Sequence, residues 1–320
     1  MHTSLFFKLF PPPKFLVMRH VGLDISEDSI HCLEYSSEFN RKITKYASID
    51  LPEGIIEDGE IKKEKDLTDI LSKLQKDKDL SYAKVSVPEE KAYLFQTDIS
   101  TTNPVAIAQN IEFKLEENVP LPVSEALFYF DILPMAVTEG KLRASVSVVP
   151  RTYIEKIVSI LRNSNISPIA FEVVPKAIAR ATLSPSLSST VMIIQIMNHK
   201  TGVYVVSGGV VCFTFTVGWG NQKQNPENKG SGLIIEEIKR IYEYWSAHNP
   251  ETSKIAQIVM VGKGSLLHEE EINSVATSLG ISASIGNAWN NVFSLDKYIP
   301  PIKKDDSLDY SVSAGLAMDL

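Results

Sequence analysis

Apolar positions along this chain follow two rhythms, and the order in which the rhythms change occurs twice. From Val21 onward, VGLDIS, IHCLEYS and KITKYASIDL are short apolar-rich runs broken by polar stretches at Glu27-Asp28 and from Glu38 to Arg41. That pattern predicts three sequential strands in an antiparallel meander. A polar loop with Gly54 and Gly59 follows, then Leu67, Ile70, Leu71 and Leu74 at helical spacing, then the strand-like AKVSVP at residues 83–88. In the second half, VMIIQIM at residues 191–197 is apolar throughout, as in a strand covered on both faces. GVYVV and VVCFTFTV flank Ser207-Gly208-Gly209, a hairpin signal. After a polar loop from Asn221 to Gly232, Ile234, Ile238, Ile241 and Trp245 mark a helix, and IAQIVMVG at residues 255–262 a strand. Strand-strand-strand-helix-strand therefore occurs twice in different letters, which predicts two similar α/β lobes with a cleft between them.

A further segment belongs to neither repeat. AYLFQTDIS is strand-like, and Asn103-Pro104 is a helix cap with a first-turn proline ahead of the apolar face Ile107, Ala108, Ile111 and Leu115. ALFYFDILP and LRASVSVVP alternate as a strand pair joined near Glu139-Gly140, and Thr152 with Glu155 reads as a capping box ahead of Ile154, Ile157, Val158 and Leu161. We read residues 89–168 as an inserted α+β subdomain. Residues 19–88 form the first lobe, to which 169–186 and 305–320 return; residues 187–304 form the second.

Residues 1–18 are an arm. Its apolar part, Leu5 to Phe10, is broken by Lys8 and meets Pro11, Pro12 and Pro13 where a secretory signal would carry small residues, so the chain reads as unsecreted. Phe6, Phe7, Leu9 and Phe10 either pack on the protein's own surface or touch a membrane interface. The 320 residues carry a net charge of −7, which argues against nucleic acid as a partner. Cys32 and Cys212 sit in separate apolar runs and make no disulfide framework. The histidines show no metal-ligand spacing, and there is no phosphate-binding GxxxxGK[ST] loop, GxSxG elbow or CxxC pair.

Taken together, VGLDIS, EENVPLP, FEVVPKAIARAT, VGKGSLL and the terminal SAGLAMDL, in that order around the inserted segment, resemble the PilM family. These are actin-like cytoplasmic assembly proteins of type IV pili, close to the division protein FtsA, and the resemblance spans about residues 19–320. It implies an α/β, actin-like (RNase H-type) two-lobed fold with an inserted α+β subdomain 1C, part of an SHS2 module. It implies ATP, with Mg, in the interlobe cleft. It also implies a partner, the N-terminal cytoplasmic peptide of a PilN-like inner-membrane protein, through which the protein would sit beneath the inner membrane.

In such a fold a hairpin turn from each lobe grips the phosphates with backbone N–H groups and small hydroxyls. The first-lobe candidates are Asp24, Ser26 and Ser29, with Asp24 holding Mg²⁺ through waters; alternatively they are turn residues bonding locally. The family tends to have glycine where Ser26 stands, and Glu27 and Asp28 add negative charge. The second-lobe candidates are Asn198, Lys200 and Thr201, against an ordinary loop with a solvated lysine. Gln195 and Met197 stand where the family tends to show an acid and a glycine. Gln195 cannot act as a base, so hydrolysis should be slow or absent. Gly262, Gly264 and Ser265 in VGKGSLL would face the adenosine, or else form a capped strand-to-helix turn. Glu236 and Lys239 are weaker candidates for ribose contact. The peptide would lie between the first lobe and the insert, near Pro120, Leu121 and Pro122 and walled by Tyr93, Phe95, Phe128 and Phe130, unless these aromatics are the insert's own core. Two alternatives share the superfold: an FtsA-like filament protein, which would end in an amphipathic membrane-binding helix, and a sugar kinase, which needs a catalytic carboxylate in a recognisable motif.

Overall fold

The computed structural model describes residues 19–36, 41–100, 103–133, 142–218, 230–249 and 254–318. The arm, the Glu139-Gly140 turn and much of the Asn221–Gly232 loop lie outside them. The first sheet begins with the expected meander: β1 (Val21–Ile25), β2 (Ser29–Tyr35) and β3 (Ile43–Asp50), each antiparallel to its neighbour. A small hairpin of β4 (Ile56–Glu57) and β5 (Glu60–Ile61) precedes helix α1 (Glu64–Lys78). β6 (Tyr82–Val87) then pairs parallel to β1.

The chain next leaves to build the insert from β7 (Tyr93–Ile99), α2 (Pro104–Asn118), β8 (Ala126–Ile132) and β9 (Leu142–Pro150), its sheet ordered β7-β9-β8. The Asn103 side chain caps α2 by accepting from the N–H groups of Val105 and Ala106, as its sequence implies. Helix α3 (Arg151–Asn163) and β10 (Ser167–Val173) return the chain to the first sheet, where β10 lies parallel to β6. Two details differ from the sequence reading. α3 lies within the 89–168 range of the expected insert, yet Ile157, Ile160 and Leu161 are buried with Leu67 and Leu71 in the core beneath the first sheet. The helix also starts at Arg151, directly on the end of β9, with no side-chain cap; Thr152 is already inside the first turn, so the capping box does not form.

After α4 (Val174–Thr182) the pattern repeats. β11 (Thr190–Ile196), β12 (Thr201–Ser207) and β13 (Val210–Val217) form a second antiparallel meander. α5 (Gly230–His248) and β14 (Ile255–Val261) follow, with β14 parallel to β11, then α6 (Glu269–Ser278) and β15 (Ser282–Ile285). The sheet orders, β3-β2-β1-β6-β10 and β13-β12-β11-β14-β15, are the same arrangement twice.

Strand alternation decides which residues fill which layer. Along β11, Met192, Ile194 and Ile196 face the core shared with α5 and α6, while Val191 and Ile193 face α4 and α7 (Ser311–Ala317). Along β1, Val21, Leu23 and Ile25 point into the first core. Gly22 lies on the other face, against α7, where a side-chain carbon would stand 2.0 Å from the Ser313 carbonyl oxygen. Gly315 has the same tightness toward α4: a carbon there would stand 1.9 Å from the Ala177 oxygen. α7 thus lies between the sheets through two glycine contacts. Its last carbonyls receive cationic donors, Arg180 Nη1 on Gly315 O at 2.8 Å and Lys84 Nζ on Met318 O at 3.0 Å.

Candidate functional site

Parallel pairing of β1 with β6 sets Leu23 beside Val85, so Asp24 and the residues that follow β6 share one end of the first sheet. The Asp24 carboxyl is enclosed and bonded to the Ser86 side chain. Burial pushes its pKa up to about 7, with Glu89 and Asp309 adding to the rise and Ser86 and Lys200 opposing it. The β1–β2 turn closes on itself. Ser26 Oγ donates to Ser29 O at 2.9 Å, and the Ser29 N–H donates to Ser26 Oγ at 3.1 Å. The Ser29 hydroxyl lies 3.1 Å from Ser26 Oγ and 3.3 Å from His31 Nδ1, so both hydroxyls are engaged at the turn.

The β11–β12 loop faces this turn from the second lobe. Lys200 forms a short ion pair with Glu90, and its Nζ lies 3.6 Å from Glu27 Oε2. His199 Nε2 lies 3.4 Å from Asp28 Oδ1. Burial works against the Lys200 charge, but Glu90, Glu89 and Glu27 outweigh it and its pKa is raised. Behind Lys200, the Tyr204 hydroxyl lies 2.9 Å from both Glu89 Oε1 and Gln195 Oε1, and Thr216 Oγ1 donates to Glu89 at 3.1 Å. Tyr204 has one proton for two acceptors. The arrangement is satisfied when Glu89 keeps its own proton and donates to the Tyr204 oxygen, or when Gln195 turns its amide NH₂ toward it. Burial, reinforced by Glu90, raises the Glu89 pKa.

The VGKGSLL loop is committed to packing. Gly262 has φ +81°, and a side-chain carbon there would stand 2.3 Å from Ile196 O; at Gly264 it would stand 2.5 Å from Ile196 Cγ2. The close approach these glycines permit is thus to the end of β11. The Gly262 N–H donates to Leu308 O at 3.3 Å and the Lys263 N–H to Asp309 Oδ1 at 2.7 Å. Ser265 does not cap a helix: it is buried and donates to Val261 O at 2.6 Å, and α6 starts only at Glu269. On α5, Glu236 is exposed, and Lys239 shares a hollow with Glu270 and Glu271 of α6.

The structure thus gathers Asp24, Ser26 and Lys200 around one small pocket together with Glu27, Glu89, Gln195 and Met197. Asn198 is exposed at the loop tip, Thr201 is buried at the start of β12, and neither they nor Gly262, Gly264 and Ser265 line it. Glu89, Glu90, Tyr204 and Asp309 were not foreseen. The signal for the first two was Pro88-Glu89-Glu90 directly after a strand parallel to β1, since ligand-facing residues in such sheets gather at strand carboxyl ends.

These residues do not fit a magnesium-bound triphosphate. The pocket holds about 20 Å³, room for about one water. Asp24, Glu27 and Glu89 line it with Lys200, whose ammonium already pairs with Glu27 and with the neighbouring Glu90. Among the described residues, no group of three or more His, Cys, Asp and Glu could hold a metal ion.

A second concavity, about 280 Å³, lies where the insert meets the first lobe. Leu127, Phe128 and Tyr129 of β8 and Ser147 of β9 form one wall; Ala170 and Phe171 of β10 form the other, with Lys176 of α4 at the rim. β8 and β10 are edge strands of their sheets among the described residues. Of the expected wall residues only Phe128 lines this groove. Phe95, Phe130 and Leu121 pack on the insert core, Tyr93 is partly exposed elsewhere, and Pro120 and Pro122 lie outside the lining. A larger hollow, about 920 Å³ beside Trp289 and residues 299–308, contains none of the cleft residues.

Paired sheets of one design, first hairpins that face each other across a cleft and a module inserted after β6 define a two-lobed protein of the actin-like fold. The sequence profile described as type IV pilus assembly protein PilM matches residues 22–228, and the chain belongs to that family. Among solved structures, the PilM-PilN type IV pilus biogenesis complex is similar over 94% of this chain and 98% of that one, with TM-score 0.76 and 16% identity. The ethanolamine utilization protein EutJ from Carboxydothermus hydrogenoformans is similar over 96% and 90%, with TM-score 0.51 and 13% identity. At these identities the likenesses speak for the fold. The comparison with curated protein sequences gives no match. Among the described residues, no helix is long and apolar enough to cross a membrane.

Proposed function

We propose that this chain acts in type IV pilus assembly as a recruiting scaffold whose groove takes an extended, apolar N-terminal peptide of a PilN-like inner-membrane protein. The observation that carries this reading is the groove itself. It is an apolar trough flanked by the edges of two strands from different sheets, β8 and β10, unpaired on that side among the described residues. An extended peptide entering it can add main-chain hydrogen bonds to an edge strand and seat alternate side chains against Phe128, Phe171 and Leu127. Tyr129 and Lys176 close the rim: Lys176 Nζ stands 4.0 Å from the Tyr129 ring centre and pairs with Asp131 Oδ2 at 2.6 Å. Through that partner the chain would be held at the cytoplasmic face of the inner membrane. Catalysis has no part in this reading. Gln195 replaces the acid that activation of water would need, and the kinase alternative lacks a catalytic carboxylate in a recognisable motif. No observation favours an FtsA-like filament role over the groove.

Calorimetric titration with short apolar peptides from the N-termini of inner-membrane pilus proteins tests the reading. The wild-type chain is expected to bind such a peptide. Ala170→Trp, which fills the trough, is expected to weaken binding at least tenfold, or about 1.4 kcal/mol. Phe113→Ala, on the exposed side of α2 (87% exposed), should leave it unchanged. Absence of binding by the wild type, or an unaffected Ala170→Trp, would refute the groove assignment.

A further inference from the structure

We infer that the interlobe cleft of this chain is latched by its own side chains, with the Lys200 ammonium standing between the hairpin turns where the fold would place nucleotide phosphates, so that the lobes stay joined without nucleotide. The inference rests on the cleft alone and holds whether or not the groove takes a peptide.

Three parts of the molecule meet at this ammonium. Lys200 comes from the first hairpin of the second sheet, Glu27 from the first hairpin of the first sheet, and Glu90 from the turn that carries the chain into the insert. A second tie runs beside it, from Glu89 in the same turn to Tyr204 of β12 and Thr216 of β13. A third lies across the cleft floor, where Asp309 receives the Lys263 N–H and Lys263 Nζ pairs with Asp306 at 2.7 Å. Several groups that would receive a nucleotide are therefore partnered within the protein: the serine hydroxyls by their own turn, the Gly262 and Lys263 amides by residues 308–309, and the lysine by two glutamates.

Charge points the same way. A triphosphate drawing Lys200 away would leave Glu27 and Glu90 without their cation and would then stand beside these two carboxylates. Like charges at such range in a poorly solvated site repel strongly. The substitutions at Gln195 and Met197 fit a cleft that holds itself shut.

Thermal unfolding and hydrogen exchange of the full chain test the latch. Millimolar magnesium ATP is expected to leave the Tm unchanged, whereas a bound nucleotide would raise it in proportion to the logarithm of its concentration. Lys200→Met is expected to lower the Tm by several degrees and to speed amide exchange at residues 88–91 and 198–201 with no ligand present. Glu90→Gln, which keeps the side-chain shape, should do the same more mildly and serves if Lys200→Met does not fold. A rise in Tm that keeps growing with magnesium ATP concentration overturns the inference, as does unchanged exchange at both segments in the variant that folds.

Discussion

Asp24 shows what enclosure does to a single group. Its pKa is about 7 in the folded chain against an ordinary 3.8, so between those values the folded state keeps a proton that the unfolded chain has released. Stability therefore falls as pH rises through that window, and above pH 7 the full penalty stands, about 4 kcal/mol at most. Asp24→Asn keeps an acceptor for Ser86 and removes the penalty. Urea unfolding of variant and parent should show the variant more stable at pH 8, with the gap closing toward pH 4. A gap independent of pH would mean that Asp24 is ionised in the fold. Asp24, Ser26 and Lys200 were legible because Asp24 lies near the end of a strand-like run and Ser26 and Lys200 sit in hairpin turns, all of which can be read locally. Glu89 and Glu90 were not, because their place beside Asp24 depends on parallel pairing of β6 with β1, separated in sequence by β2, β3, a small hairpin and a helix. The sequence left Gly262, Gly264 and Ser265 open between ligand contact and a capped turn, because a glycine-bearing turn after a strand reads the same whether it opens to a ligand or packs on Ile196.

Among the elements, α7 is the most constrained. It lies between β1 and α4 at backbone contact through Gly22 and Gly315. Replacing a helical glycine by alanine ordinarily stabilises by up to about 1 kcal/mol. Here the added carbon would meet the Ala177 oxygen at 1.9 Å, a backbone atom that no rotamer change can move. Gly315→Ala is therefore expected to destabilise by about 1–3 kcal/mol, read as a lower denaturant midpoint with an unchanged slope. Stabilisation would show that α7 can shift away from α4. The terminal small-residue pattern foretold a helix here, short apolar runs broken by polar turns foretold the first meander, and an apolar run with a hairpin signal foretold the strands of the second. Neither carries the packing distance, which is set by the meeting of segments nearly the whole chain apart. The course of α3 escaped for a similar reason: its amphipathic pattern announces a helix without saying which core receives the apolar face.

Across the whole molecule, the insert is tied to the second lobe while its groove opens on the first. Gln96 Nε2 donates to Cys212 O at 3.0 Å and Ser145 Oγ to Val211 O at 2.5 Å, fixing β7 and β9 to β13. The groove's other wall is β10, the edge of the first sheet. Its width consequently depends on how the two lobes sit, and Lys200, which joins them and the stem of the insert, helps to set it. The duplicated strand order was enough to foresee two lobes and a crevice. It could not show which of two concavities is built for a partner, because a cleft lined by glutamates and a trough lined by edge strands differ in depth and charge rather than in residue order. Hydrogen exchange of the full chain with and without a saturating apolar pilus-protein peptide distinguishes them in one measurement. Protection is expected along residues 127–129 and 170–173, with the turns at 26–29 and 198–201 unaltered. Protection at those turns, with β8 and β10 exchanging as before, would contradict the assignment of the groove as the binding surface.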